Sequence, residues 1–310
     1  MNKSKLITIA KYTWGIVIAL AVIYFIFNNY ATAQIYFQQI NTKQFALSVT
    51  CQIIARIFLI DLIRQSVVRV NWKPEYGNFF SLISISQLGK YVPGGVWQFV
   101  ARFGAYKENN ISNKELGKSF LIENIWMVSG AFFTGLFFIL INNPEVILDK
   151  YGIFLNKQIH IILAIGCLLF CYISIFVTEY KLYPASIYKV LTRSFRLLIT
   201  QAIMWFFLGT SFFVLLSGIG VNEFFYTIGA YTISFLVGYV AIFAPGGIGV
   251  REVVLVFLFS PFFKPDQIGV YAIIHRLLYT LVEFMFAAIA YALLAQKRFF
   301  ARNKRNDPLI

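Results

Sequence analysis

Long apolar runs dominate this chain, and short polar stretches punctuate them. Runs at roughly 6–27, 45–63, 79–101, 119–142, 159–178, 197–217, 224–260 and 268–295 approach or exceed the ~20 residues that a helix needs to cross a bilayer. A backbone facing lipid must satisfy its hydrogen bonds within its own segment, so each run predicts a helix. Two runs are broken by glycine and proline. The first break is Lys90-Tyr91-Val92-Pro93-Gly94-Gly95, and the second is Phe243-Ala244-Pro245-Gly246-Gly247-Ile248-Gly249. The prediction is an all-α, polytopic membrane protein.

The breaks recur at a fixed offset. Adding 152 places Pro93, Gly94 and Gly95 on Pro245, Gly246 and Gly247. The same shift lays Leu116-Gly117 on Ile268-Gly269, Ile122 on Ile274 and Glu123 on His275. It also lays 6–27 on 158–179 and 45–68 on 197–220. This predicts a first membrane repeat over 1–152, a second over 153–296 and a basic tail over 297–310. The counterpart of 6–27 identifies it as a retained span, although Ala31-Thr32-Ala33 resembles a signal-peptidase site.

Composition supports the membrane reading. Only 13% of residues are charged, where a soluble domain carries about 25%. The mean hydropathy is +0.72. The net charge of +14 suits cytoplasmic loops rich in lysine and arginine, so no nucleic-acid partner is expected. Cys51, Cys167 and Cys171 lie in apolar runs without ligand spacing. They read as packing residues, and neither a metal nor any other cofactor is expected.

The basic residues also bear on orientation. They gather before residue 12, at Arg64, Arg69 and Lys73, across 102–118, across 181–196 and beyond 296, whereas the other connections hold Lys43, Lys150, Lys157 and Lys264. All the rich regions share the cytoplasmic face if each Pro-Gly-Gly segment enters and leaves on one side. Each repeat then has three spans plus a re-entrant broken helix. An odd number of spans inverts the second copy, and the two breaks meet near the midplane. Such inverted repeats with broken helices are the plan of alternating-access carriers.

Eight charges lie inside apolar runs: Arg56, Lys90, Arg251 and Arg276 against Asp61, Glu123, Glu252 and Glu283. Each costs roughly 2.5–3.5 kcal/mol at the bilayer centre, so partners or a wet cavity are expected. Arg56 and Asp61 form the expected structural pair, with Glu283 reaching water near a helix end. The charges near the breaks predict a binding site. Its candidates are Lys90, Pro93, Gly94, Gly95, Gln98, Glu123, Pro245, Gly246, Gly247, Gly249, Arg251, Glu252, His275 and Arg276. Freed amides at helix starts and the guanidinium of Arg251 suit phosphate. Glu123 and Glu252 are placed to hold the cations, and His275 is a candidate proton relay. Arg102 is expected to cap the first element at the cytoplasmic surface, and His160 to sit at the interface.

Pro245-Gly246-Gly247-Ile248-Gly249-Val250-Arg251-Glu252 resembles a signature of the flippase-like transmembrane region of lysylphosphatidylglycerol synthases. Gly89 to Gln98 is similar to a looser signature of members linked to surface polysaccharides. The resemblance implies an inner-membrane protein of lipid-translocating type and points to Pro245, Gly246, Gly247, Gly249, Arg251 and Glu252. The synthases follow this region with an aminoacyl-transfer domain. Here a basic tail follows instead, so lysine transfer is not expected and the chain is not expected to be an enzyme. The expected function is movement of a phospholipid or polyprenyl-phosphate-linked glycan across the inner membrane, with both termini cytoplasmic. A second copy or a glycosyltransferase is the expected protein partner. The alternatives are a carrier or channel for a small solute, and a membrane-embedded glycosyl- or acyltransferase. The sequence has no phosphate-loop signature.

Overall fold

The computed structural model describes residues 30–69, 72–92, 97–142, 157–241 and 244–306. The predicted span at 6–27 and Pro93, Gly94 and Gly95 lie outside the described residues. Helix is the only regular structure among those described. In chain order the α-helices are α1 (Tyr30–Gln39), α2 (Thr42–Val68), α3 (Tyr76–Ser86), α4 (Trp97–Glu108) and α5 (Asn113–Asn142). They continue with α6 (Lys157–Leu182), α7 (Ile187–Phe213), α8 (Phe224–Val240), α9 (Val250–Phe259) and α10 (Pro265–Asn306).

Among the described residues, five helices are long and apolar enough to cross a membrane: Thr42–Val68, Asn113–Asn142, Gln158–Leu182, Ile187–Phe213 and Pro265–Lys297. They coincide with five unbroken runs of the sequence. The broken runs form shorter helices instead. With 11 residues in α3, 12 in α4, 17 in α8 and 10 in α9, each falls below the roughly 20 residues of a straight span.

Local chemistry explains several boundaries. At the start of α2, Asn41 Oδ1 accepts from the Gln44 amide at 2.8 Å, and Gln44 Oε1 accepts from the Asn41 amide at 3.0 Å. This reciprocal box satisfies two amides that the helix cannot bond internally. Ser112 and Glu115 do the same before α5.

The element order α2–α3–α4–α5 recurs as α7–α8–α9–α10, and the 152-residue offset carries the first residue of α5 onto that of α10. Helix α2 packs along α7, α5 along α8 and α3 along α10. Small residues set the closest of these approaches. A Cβ on Gly229 of α8 would meet the Gly135 carbonyl oxygen of α5 at 2.6 Å, and one on Gly209 of α7 would meet Ile228 Cα at 2.6 Å. Where lipid is as apolar as the side chains, such close backbone packing joins helices. The core between them holds Trp126, Trp205, Phe212, Phe259 and Tyr271, all fully buried. Helix α6 packs onto this core through Cys171 and Ile175 and turns Ile162, Leu169 and Phe170 outward.

The structure corrects several charge assignments. Arg102 is not a surface cap. It is fully buried, and its Nη1 and Nη2 donate to the two carboxylate oxygens of Glu123 at 2.9 and 3.0 Å. Glu283 does not reach water; it is fully buried and accepts from Arg56 at 2.5 Å, from Tyr91 at 2.5 Å and from Lys90. Arg56 therefore does not pair with Asp61, which instead meets Gln65 at 2.8 Å and Arg196 at 3.5 Å. Five residues apart on one helix, Arg56 and Asp61 point to different faces. Arg69 is withdrawn from the loop charge into a buried pair with Glu179 at 3.0 Å. Cys51 and Cys171 are buried, as packing residues should be.

Candidate functional site at two helix breaks

Both predicted breaks interrupt the helical backbone. After α3 the chain tightens into a 3₁₀ turn over Gln87–Tyr91, and α4 starts at Trp97. A Cβ on Gly89 would lie 2.7 Å from the Gln98 amide nitrogen, so only glycine lets the turn rest on the start of α4. After α8 the chain makes a 3₁₀ turn over Pro245–Gly247, and α9 starts at Val250. Gly246, Gly247 and Gly249 take φ of 58°, 73° and 85°, a region costly for other residues. The two turns touch: a Cβ on Gly246 would come within 3.7 Å of the Tyr91 ring.

Beside the turns lies a cavity of about 360 Å³. Of the predicted site residues, Lys90, Gln98, Glu123, Gly246, Gly247 and Arg251 line it. Its apolar wall includes Leu59, Phe99, Met127, Val128 and Phe235. A mostly apolar pocket with a few converging polar groups is the usual form of a ligand site.

Arg251 is the distinctive group. It is 7% exposed, its guanidinium lies 3.6 Å from the centre of the Phe235 ring, and its Nε has no hydrogen-bond partner. Among the described residues no carboxylate is within ion-pair distance of it. The side chain lies in a slot made by two glycines. A Cβ on Gly238 would collide with Arg251 Cγ, and one on Gly247 would stand 3.0 Å from Arg251 Nε. Gly238→Ala is therefore expected to destabilise the protein by about 1–3 kcal/mol through overpacking. It should also weaken binding of any anion as strongly as removing the guanidinium does. Thermal unfolding in detergent and retention of bound lipid measure the two effects. Wild-type values for both would show that the slot does not position Arg251.

The other predicted residues take supporting places. Glu252 accepts from the Gly249 amide at 2.7 Å, so it caps α9 rather than holding a cation. Glu123 is occupied by Arg102. Arg276 lies outside the cavity wall and donates from Nη2 to the Gly246 carbonyl at 2.5 Å, bracing the second turn. His275, 2% exposed, shares a 2.7 Å hydrogen bond with Ser211 and packs edge-on against Tyr231. It contributes nothing to the cavity wall. Pro245 contributes the backbone of the second turn.

Several lining residues escape a reading of the sequence. Asn124 accepts from the Tyr239 hydroxyl at 2.6 Å and donates to the Phe120 carbonyl at 2.7 Å. An amide following Glu123 within an apolar run was the available signal. Tyr279 lies under Lys90, whose Nζ is 4.8 Å from the ring centre, but nothing local distinguishes this tyrosine from others in α10.

The family model for the lysylphosphatidylglycerol synthase TM region matches residues 12–287. The chain belongs to this family. The match spans both breaks, the cavity and all five candidate spans except the last ten residues of the fifth. Membership in the lysylphosphatidylglycerol synthase TM family and the long apolar helices together identify a multi-pass membrane protein. No curated protein matches the chain.

Proposed function

We propose that this protein translocates a phosphate-bearing lipid across the plasma membrane. The observation that carries this reading is the buried Arg251 guanidinium, without a carboxylate partner, in the wall of a cavity between two broken helices. A buried charge is costly until something neutralises it, which favours an anionic ligand. Guanidinium geometry suits phosphate. The apolar wall accommodates the start of a lipid tail. The recurring element order, the pairing of α2 with α7 and the contact of the two turns support an inverted duplication. In that arrangement the breaks are re-entrant, the termini are cytoplasmic, and the site can open to either face by a rocking motion. The protein acts as a carrier rather than an enzyme.

Native mass spectrometry of gently purified protein tests the reading. Wild type is expected to retain a defined phosphate-bearing lipid that Arg251→Ala loses by at least about tenfold, near 1.4 kcal/mol. If both retain only the same bulk lipids, the cavity does not bind lipid phosphate, and transport of a small solute becomes the reading to test.

A further inference from the structure

Among the described residues, formal charges around the cavity do not balance. Five buried or half-buried cations cluster at the breaks: Arg56, Lys90, Arg102, Arg251 and Arg276. Three carboxylates face them. Glu123 is taken by Arg102, and Glu283 is shared by Arg56 and Lys90. Glu252 spends one oxygen on the Gly249 amide. Two positive charges are left over even when Glu252 is counted fully. Arg251 and Arg276 have no carboxylate within ion-pair distance among the described residues.

One surplus charge belongs to Arg56 and Lys90, which share the single charge of Glu283, and the other to Arg251 and Arg276, which have only Glu252 nearby; Lys90 and Arg251 bring them to the cavity. Arg251 lies against Phe235, and Lys90 lies over Tyr279; these two rings stand edge to face with centres 6.4 Å apart. All four residues line the same cavity. Two cations thus face one space, each supported by an aromatic face. A ligand with one negative charge leaves one cation of the surplus uncompensated in a low-dielectric site, and a ligand with two leaves none.

We infer that the cavity takes a doubly charged phosphate headgroup, a phosphomonoester or a diphosphate, in preference to a phosphodiester with a single charge. This inference rests on the proposed reading of the cavity as a lipid-phosphate site. A monoester loses its second charge below a pH of about 6, which gives the inference a signature independent of any substitution.

The test uses the wild-type protein in detergent and measures lipid binding by native mass spectrometry and by stabilisation against heat. Phosphatidic acid is compared with phosphatidylglycerol of the same acyl chains, with phosphatidylcholine as the zwitterionic reference. A polyprenyl diphosphate is compared with the matching polyprenyl monophosphate. At pH 8 phosphatidic acid is expected to bind at least about tenfold more tightly than phosphatidylglycerol. That preference should collapse by about pH 5, whereas the polyprenyl diphosphate keeps its affinity. Retained diphosphate binding with weak phosphatidic acid binding at pH 8 would assign the site to diphosphates. The reverse would assign it to monoesters, and either supports the inference. Equal binding of phosphatidylglycerol, phosphatidic acid and diphosphate, all weakened by Arg251→Ala, overturns the inference but leaves the lipid-phosphate reading standing. Binding of every anionic lipid at the level of phosphatidylcholine overturns both.

Discussion

Glu283→Gln is expected to lower the melting temperature of the detergent-solubilised protein by on the order of 10 °C. The wild-type carboxylate is fully buried and pairs with both Arg56 and Lys90 while accepting from the Tyr91 hydroxyl at 2.5 Å. Glutamine removes the charge but leaves both cations in place, and breaking a buried pair from one side costs about 3–5 kcal/mol. Replacing Arg56, Lys90 and Glu283 together by methionine should recover most of the loss, because no charge is then left unpaired. A single variant as stable as wild type would show that water or another anion neutralises these cations.

Gly229→Val should abolish recovery of monodisperse protein. The atoms that a Cβ would strike are backbone: the Gly135 carbonyl oxygen at 2.6 Å and the Ile139 amide nitrogen at 2.8 Å. Backbone cannot rotate aside, so α5 and α8 must separate along their length. The cost exceeds the usual 1–3 kcal/mol of overpacking, roughly speaking, because it propagates through the largest helix contact. Gly166→Ala is the control. A Cβ there meets nothing within 4 Å, so stability should hold or rise by about 0.4–1 kcal/mol. Size-exclusion profiles of the two variants make the comparison. Normal recovery of Gly229→Val would contradict the close crossing.

Elements with local causes were legible in the sequence. Long apolar runs gave the spans, because a backbone in lipid has no other way to bond. Proline and glycine at Pro245, Gly246 and Gly247 marked the second turn, and Gly89 to Val92 fell at the first. The composition of the site was largely legible as well, since Lys90, Glu123 and Arg251 stand out in apolar surroundings. Pairing was not legible. Arg56 and Glu283 are separated by 227 residues, and no periodicity shows that α2 and α10 bring them together. The same blindness placed Arg102 at the surface, where a basic residue next to a loop ordinarily belongs. Its carboxylate partner lies 21 residues on, after a turn and the start of α5. Gly238 gave no sign of its importance, because a glycine inside an apolar helix looks the same whether it faces lipid or an arginine.

The sharing of Glu283 has a further consequence. An anion with one cation partner becomes bare when that partner leaves, and the penalty freezes the contact. Glu283 has two, reached from α2 and from the first turn. If Lys90 swings toward a ligand in the cavity, Arg56 keeps the carboxylate neutralised throughout. The contact works like a make-before-break switch: the first turn can let go of α10 and take hold again without any step that isolates a charge in the membrane interior.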